Sequence, residues 1–111
     1  MTRTYLGEFE EVVLLTIAVL PEPSYGAIIT QEIERQTGRS VDFSTVHTTL
    51  KRLEEKGFLS SWMGGATAQR GGRRKRYFAI TLAGYRALED IQQLRNRYWS
   101  LIPKNLQLKG I

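Results

Sequence analysis

The sequence predicts an α+β chain, mainly helical, with four helices and one pair of strands. Three observations carry that prediction. Apolar residues recur every three or four positions over most of the chain, which is helical spacing. Two short runs rich in aromatic and apolar residues, Phe58 to Met63 and Arg76 to Ile80, flank a glycine-rich stretch and read as strands. Prolines fall at or beyond the ends of these segments, and the glycine-rich stretch lies between the two strands. A length of 111 residues with 41% hydrophobic and 24% charged content fits one globular domain with its own core.

The first helix is expected from about Leu6 to Val19, polar at its start and apolar nearly all round afterwards. Such a helix is buried on most sides, by its own domain or by a partner subunit. Pro21 and Pro23 end it. Ser24 is the N-cap candidate for a second helix from Tyr25 to about Gln36, with Ile28, Ile29 and Ile33 on its inner face. Gly38 suits the left-handed residue beyond its end. A turn through Val41, Asp42 and Phe43 leads to Ser44, the cap candidate of the third helix, which runs to Lys56 and stops at Gly57.

In the third helix Val46, Leu50 and Leu53 form one buried stripe, while Thr45, Thr48, Lys51 and Arg52 lie off it. Two helices joined by a short turn, the second with a polar outer face, make a helix-turn-helix pattern. The segment between the strands, G-G-A-T-A-Q-R-G-G-R-R-K, is too long and glycine-rich for a tight turn and reads as a hairpin tip, or wing. Thr81 caps a long final helix whose seam is Leu82, Tyr85, Leu88, Ile91, Leu94, Tyr98 and Leu101. That seam exceeds what one small domain needs covered, and the surplus predicts pairing with a second subunit. Pro103 ends this helix, and a frayed tail to Ile111 is expected. The expected architecture is therefore a winged helix-turn-helix with a two-stranded wing over residues 1–80. A dimerisation helix and tail over 81–111 complete one compact unit.

Charge is distributed unevenly. The net charge is +5, yet residues 1–63 carry six Lys/Arg against nine Asp/Glu, and residues 64–111 carry ten against two. A concentrated basic region suits a polyanionic partner, although the same charge also serves solubility. The run Val12 to Leu20 is too short to span a bilayer. Acidic residues precede it and prolines follow it, unlike a signal peptide, so a cytoplasmic location is expected. Cysteine is absent, which removes disulfides and thiolate metal sites. His47 is the only histidine and has neither the metal-ligand companions nor the partners of a general base. Gly71 and Gly72 lie between two strands and so do not form a phosphate-binding P-loop. No catalytic residue, metal or cofactor is expected.

The candidate DNA-facing residues are Ser44, Thr45, His47, Thr48 and Lys51 on the third helix and Arg73, Arg74 and Lys75 in the wing. Threonine hydroxyl and methyl groups read base edges, histidine donates to them, and a helix N-terminus favours a phosphate. Alternate strand residues face opposite sides, so either Arg73 with Lys75 or Arg74 with Arg76 forms the contacting pair. Arg52 pairs with Glu55 or covers the domain surface. Trp62 is read as packing. Trp99, beside Tyr98, packs an interface or, in a dimer, lines a cavity and stacks on a flat ligand.

The segment T-V-H-T-T-L-K-R-L-E-E-K-G-F-L, followed by G-G-R-R-K-R-Y-F-A-I-T-L-A-G-Y-R-A-L, resembles the PadR family of bacterial winged-helix transcriptional regulators. The resemblance covers nearly the whole chain. It implies a homodimeric repressor on double-stranded DNA, with Thr45, His47, Thr48 and Lys51 in the major groove and Arg73, Arg74 and Lys75 on the backbone. It also implies the compact subgroup, in which the last helix builds the dimer and some members bind aromatic or drug-like effectors between subunits. The chain departs from the family where tyrosine then proline is usual and His47 then Thr48 stand, and where Ala27 replaces a common tyrosine. These changes bear on the operator and leave the fold alone. A winged-helix adaptor that docks a protein without specific DNA binding is the alternative expectation.

Overall fold

The computed structural model describes residues 6–64 and 74–108. Within them the order is α1 (Glu8–Val19), β1 (Ser24–Tyr25), α2 (Gly26–Thr37), α3 (Phe43–Glu55), β2 (Leu59–Gly64), β3 (Lys75–Ile80), α4 (Leu82–Leu101) and α5 (Lys104–Leu108). Helices dominate, as the apolar periodicity requires, and a small antiparallel sheet in the order β1-β3-β2 closes the core.

The core is built from the stripes the sequence displays. Val13, Leu14 and Ile17 of α1 meet Ile29 and Ile33 of α2, and Val46, Leu50 and Leu53 of α3. Phe58, Leu59 and Phe78 close it from the sheet side. Gly38 and Gly57 adopt φ of 73° and 83°, left-handed values that suit glycine at helix ends.

Three local expectations are corrected. Ser24 is not a helix cap: it pairs with Phe78 as part of β1, so the sheet has three strands. The second helix begins at Gly26 behind Tyr25, which makes no side-chain capping bond. Ser44 is not the cap of α3. Asp42 is, accepting from the Ser44 N–H at 3.4 Å and from the Ser44 hydroxyl at 2.8 Å. The competing carboxylate lies two residues earlier and outranks a hydroxyl as an acceptor. The tail beyond Pro103 forms α5, a single short helix.

α4 joins the domain at its first turn. The Thr81 side chain accepts from the Gly84 N–H at 3.0 Å, as the sequence predicts, and donates to the Gly57 carbonyl at 2.7 Å. The Thr81 N–H donates to the Phe58 carbonyl at 3.1 Å. Gly84 lies so close to the backbone just before β2 that a Cβ on it would stand 2.3 Å from the Phe58 oxygen. Beyond Leu88 the helix leaves the core, and its apolar seam is open to solvent at Leu94, Tyr98 and Leu101.

Candidate nucleic-acid interface

α3 shows two different faces because its apolar residues recur at helical spacing. Val46, Leu50 and Leu53 are fully buried. Thr49 is buried with them, its hydroxyl donating to the Thr45 carbonyl at 2.8 Å, so no polar atom is left unpaired there. Ser44, Thr45, His47, Thr48 and Lys51 are all exposed, as are Phe43, Arg52 and Glu55 of the same helix. Every α3 residue singled out from the sequence therefore lies on one accessible surface. The hydroxyls offer both donors and acceptors, and Lys51 supplies a mobile cation.

The cap correction changes the electrostatics at the start of this helix. The Ser44 N–H in the first turn donates to the Asp42 carboxylate. A negative charge already answers the helix dipole there, which disfavours an anion at that end. The exposed cations nearby are Lys51 and, at the wing, Arg74 and Lys75.

Arg74 and Lys75 are exposed at the entrance to β3, and Arg73 lies outside the described residues. The register separates the strand residues onto two faces. Lys75 projects with Tyr77, its ammonium 4.7 Å from the centre of the Tyr25 ring. Arg76 projects the other way and donates to the Ser61 hydroxyl at 2.9 Å, which in turn donates to Glu54 of α3 at 2.6 Å. Arg76 is thus engaged in holding the wing to α3. On the opposite face Tyr25, Tyr77 and Trp62 form one cross-strand row. The Tyr25 and Tyr77 rings meet edge to face at 5.7 Å, and the Trp62 ring lies near-parallel to Tyr77 at 6.4 Å. Such pairs stiffen the base of the wing.

A half-buried ion pair fixes α1 against the end of α3. The Lys56 ammonium donates to both Glu10 oxygens at 2.8 and 2.9 Å, and the Gly7 N–H donates to the same carboxylate at 2.8 Å. Burial pushes the Glu10 carboxyl up. The Lys56 hydrogen bond, the Gly7 N–H and the charges of Lys56 and Arg52 outweigh that and hold it below its ordinary value of 4.5. Arg52 acts on Glu10 in this way and, among the described residues, forms no ion pair with Glu55. The partners are 46 positions apart, so no local motif announces the pair.

Tyr98 and Trp99 occupy a different region. Both are about two-thirds exposed on α4 and line an open groove of about 690 Å³ that α4 forms with the start of α1. Leu6, Ile91, Leu94 and Ile102 supply apolar walls. Glu11 and Arg95 supply charge and bond to each other at 2.6 Å across the two helices.

A helix-turn-helix with a polar α3 surface and a basic-edged hairpin defines the winged-helix class of DNA-binding proteins. The sequence matches the Transcriptional regulator PadR-like family over residues 14–90, and the chain belongs to that family. Its members are transcriptional regulators, not enzymes. No curated protein matches the sequence significantly. Among solved structures the chain is similar to a PadR-like transcription factor from Bacteroides fragilis (21% identity, TM-score 0.72, 85% of each chain covered). It is also similar to a PadR family regulator from Eggerthella lenta (24% identity, TM-score 0.68, 89% of this chain and 86% of that one). A PadR-like regulator from Bacillus cereus shares the fold too (19% identity, TM-score 0.69, 89% of this chain and 91% of that one). At these identities the likeness concerns the fold. No helix among the described residues is long and apolar enough to cross a membrane.

Proposed function

We propose that this PadR-like regulator is a homodimeric, sequence-specific repressor that lays α3 in the major groove and its wing on the flanking backbone. The observation that carries this reading is the uninterrupted polar surface of Ser44, Thr45, His47, Thr48 and Lys51, with Arg74 and Lys75 beside the wing. Thr45, His47 and Thr48 meet base edges, and Lys51 and the wing cations meet phosphates. Arg73 joins them as an expected wing contact.

The apolar surface of α4 supports the dimer. Leu82, Tyr85, Leu94, Tyr98, Trp99 and Leu101 are each about half to two-thirds exposed, and Leu15 and Val19 of α1 add to them. Exposed large apolar side chains in this number on one helix support an association surface. Pairing through α4 gives the two α3 helices the symmetry that a two-fold operator mirrors. The groove at Tyr98 and Trp99 is suited to a planar aromatic effector that relieves repression.

Selection of bound DNA from a random pool tests the whole reading. A two-fold symmetric motif is expected, with affinity falling at a slope of about −0.9 per phosphate contacted on a logarithmic salt scale. Recovery of no motif, with a flat salt response and monomers only in ultracentrifugation, would leave the protein-docking adaptor as the better account. Titration of Trp99 fluorescence with planar aromatic compounds tests the effector; no quenching by any of them removes it.

A further inference from the structure

We infer that Phe43 recognises the 5-methyl group of a thymine in the major groove, its ring held in place by His47 and Gly26. The inference rests on the DNA-reading proposal above and assigns one specificity contact within it.

Phe43 is the first residue of α3, and its side chain is 52% exposed. A large apolar ring left in water at the edge of a polar surface gains free energy from any contact that covers it. Two neighbours hold it there. His47, one turn on, lies near-parallel to it at 6.3 Å between ring centres, with 20° between the planes. On another side α2 starts with Gly26, where a Cβ would stand 3.1 and 3.2 Å from two carbon atoms of the ring. The missing side chain at Gly26 leaves the space that the ring edge fills. The phenyl is therefore a positioned group at the start of α3, not a loose one.

The chemistry of the floor of the groove selects the partner. Hydrogen-bonding atoms dominate the base edges, and the hydroxyls of Ser44, Thr45 and Thr48 match those. The thymine methyl is the apolar group exposed in that groove, and an apolar side chain recognises it. A phenyl gains little from a phosphate or a cytosine amino group. The Asp42 carboxylate already accepts from the Ser44 N–H at this end of α3 and disfavours a phosphate there.

The decisive experiment replaces thymine by deoxyuridine, which removes the methyl and nothing else. With an operator from random-pool selection, each thymine is substituted in turn, symmetrically in both half-sites. The wild-type protein should lose about threefold to fivefold in affinity per methyl at one symmetric position, the amount expected from covering one such group. Phe43→Ala should bind the thymine and uracil operators equally, and Phe43→Leu should keep part of the preference. Gly26→Ala, which crowds the ring without approaching the DNA, should reduce the preference while circular dichroism stays unchanged. A selected motif with a flat uracil scan overturns the Phe43 assignment alone. Retention of the methyl preference by Phe43→Ala does the same. Failure to select any motif overturns the DNA-reading proposal and this inference with it.

Discussion

Gly84 makes the contact between α4 and the sheet possible, and its replacement by alanine is a sharp test of that geometry. In an unconstrained helix interior the change from glycine to alanine stabilises by roughly 0.8–1 kcal/mol. Here the added Cβ would stand 2.3 Å from the Phe58 carbonyl oxygen, 3.0 Å from Ile80 Cγ1 and 3.2 Å from the Phe58 carbonyl carbon. Two of those three atoms are backbone and cannot rotate away. The same oxygen accepts the Thr81 N–H at 3.1 Å, so moving it costs a hydrogen bond as well. α4 must retreat by about 1.1 Å at its first turn to restore an ordinary contact. Overpacking of this kind costs about 1–3 kcal/mol and at times more. A 2.3 Å approach to backbone belongs in the upper part of that range, so set against the propensity gain a net loss of about 1–2 kcal/mol is expected. For a domain of this size that lowers the melting temperature by roughly 5–10 °C. Urea denaturation should show a lower midpoint at unchanged slope. A Gly84→Ala protein as stable as wild type, or more stable, would show that the close approach is not a constraint.

Other outcomes follow from the same geometry. Thr81→Ala removes the α4 cap and the tie to Gly57 and should cost about 1–2 kcal/mol in urea melts, with Thr81→Ser restoring most of it. Glu10→Gln removes the charge that Lys56 faces and should cost about 1.5–3 kcal/mol. Because the Glu10 carboxyl is held below 4.5 in the folded state, its contribution is fully present above that pH and is lost as pH falls through the folded value. Stability-against-pH curves of wild type and Glu10→Gln should therefore converge in acid, and parallel curves would refute the assignment. Lys51→Ala should weaken binding to all sequences alike and reduce the salt slope by about 1, whereas Thr48→Ala should change the preferred bases, as competition binding would reveal.

Much of the interface was legible because it depends on local periodicity. The stripe Val46, Leu50, Leu53 buries one side of α3 and so leaves Thr45, His47, Thr48 and Lys51 outside without further information. Gly38, Gly57 and Thr81 announce helix ends through backbone conformation and capping, which neighbours in sequence determine. The cap of α3 was less legible, since Asp42 and Ser44 both suit an N-terminus and only the backbone path shows which of them precedes it.

The amino-acid order alone therefore determined the four longer helices, the buried sides of α2 and α3, the wing strands and the family, because each depends on residues a few positions apart. The folded chain decided what depends on distant segments meeting. Ser24 and Tyr25 became a strand only because β3 offered an unpaired edge. Glu10 found Lys56 across 46 positions, and Gly26 made room for the Phe43 ring because α2 starts against α3. Hydrophobic spacing is written along the chain, whereas pairing, close approach and charge compensation arise only once the core has drawn remote residues together.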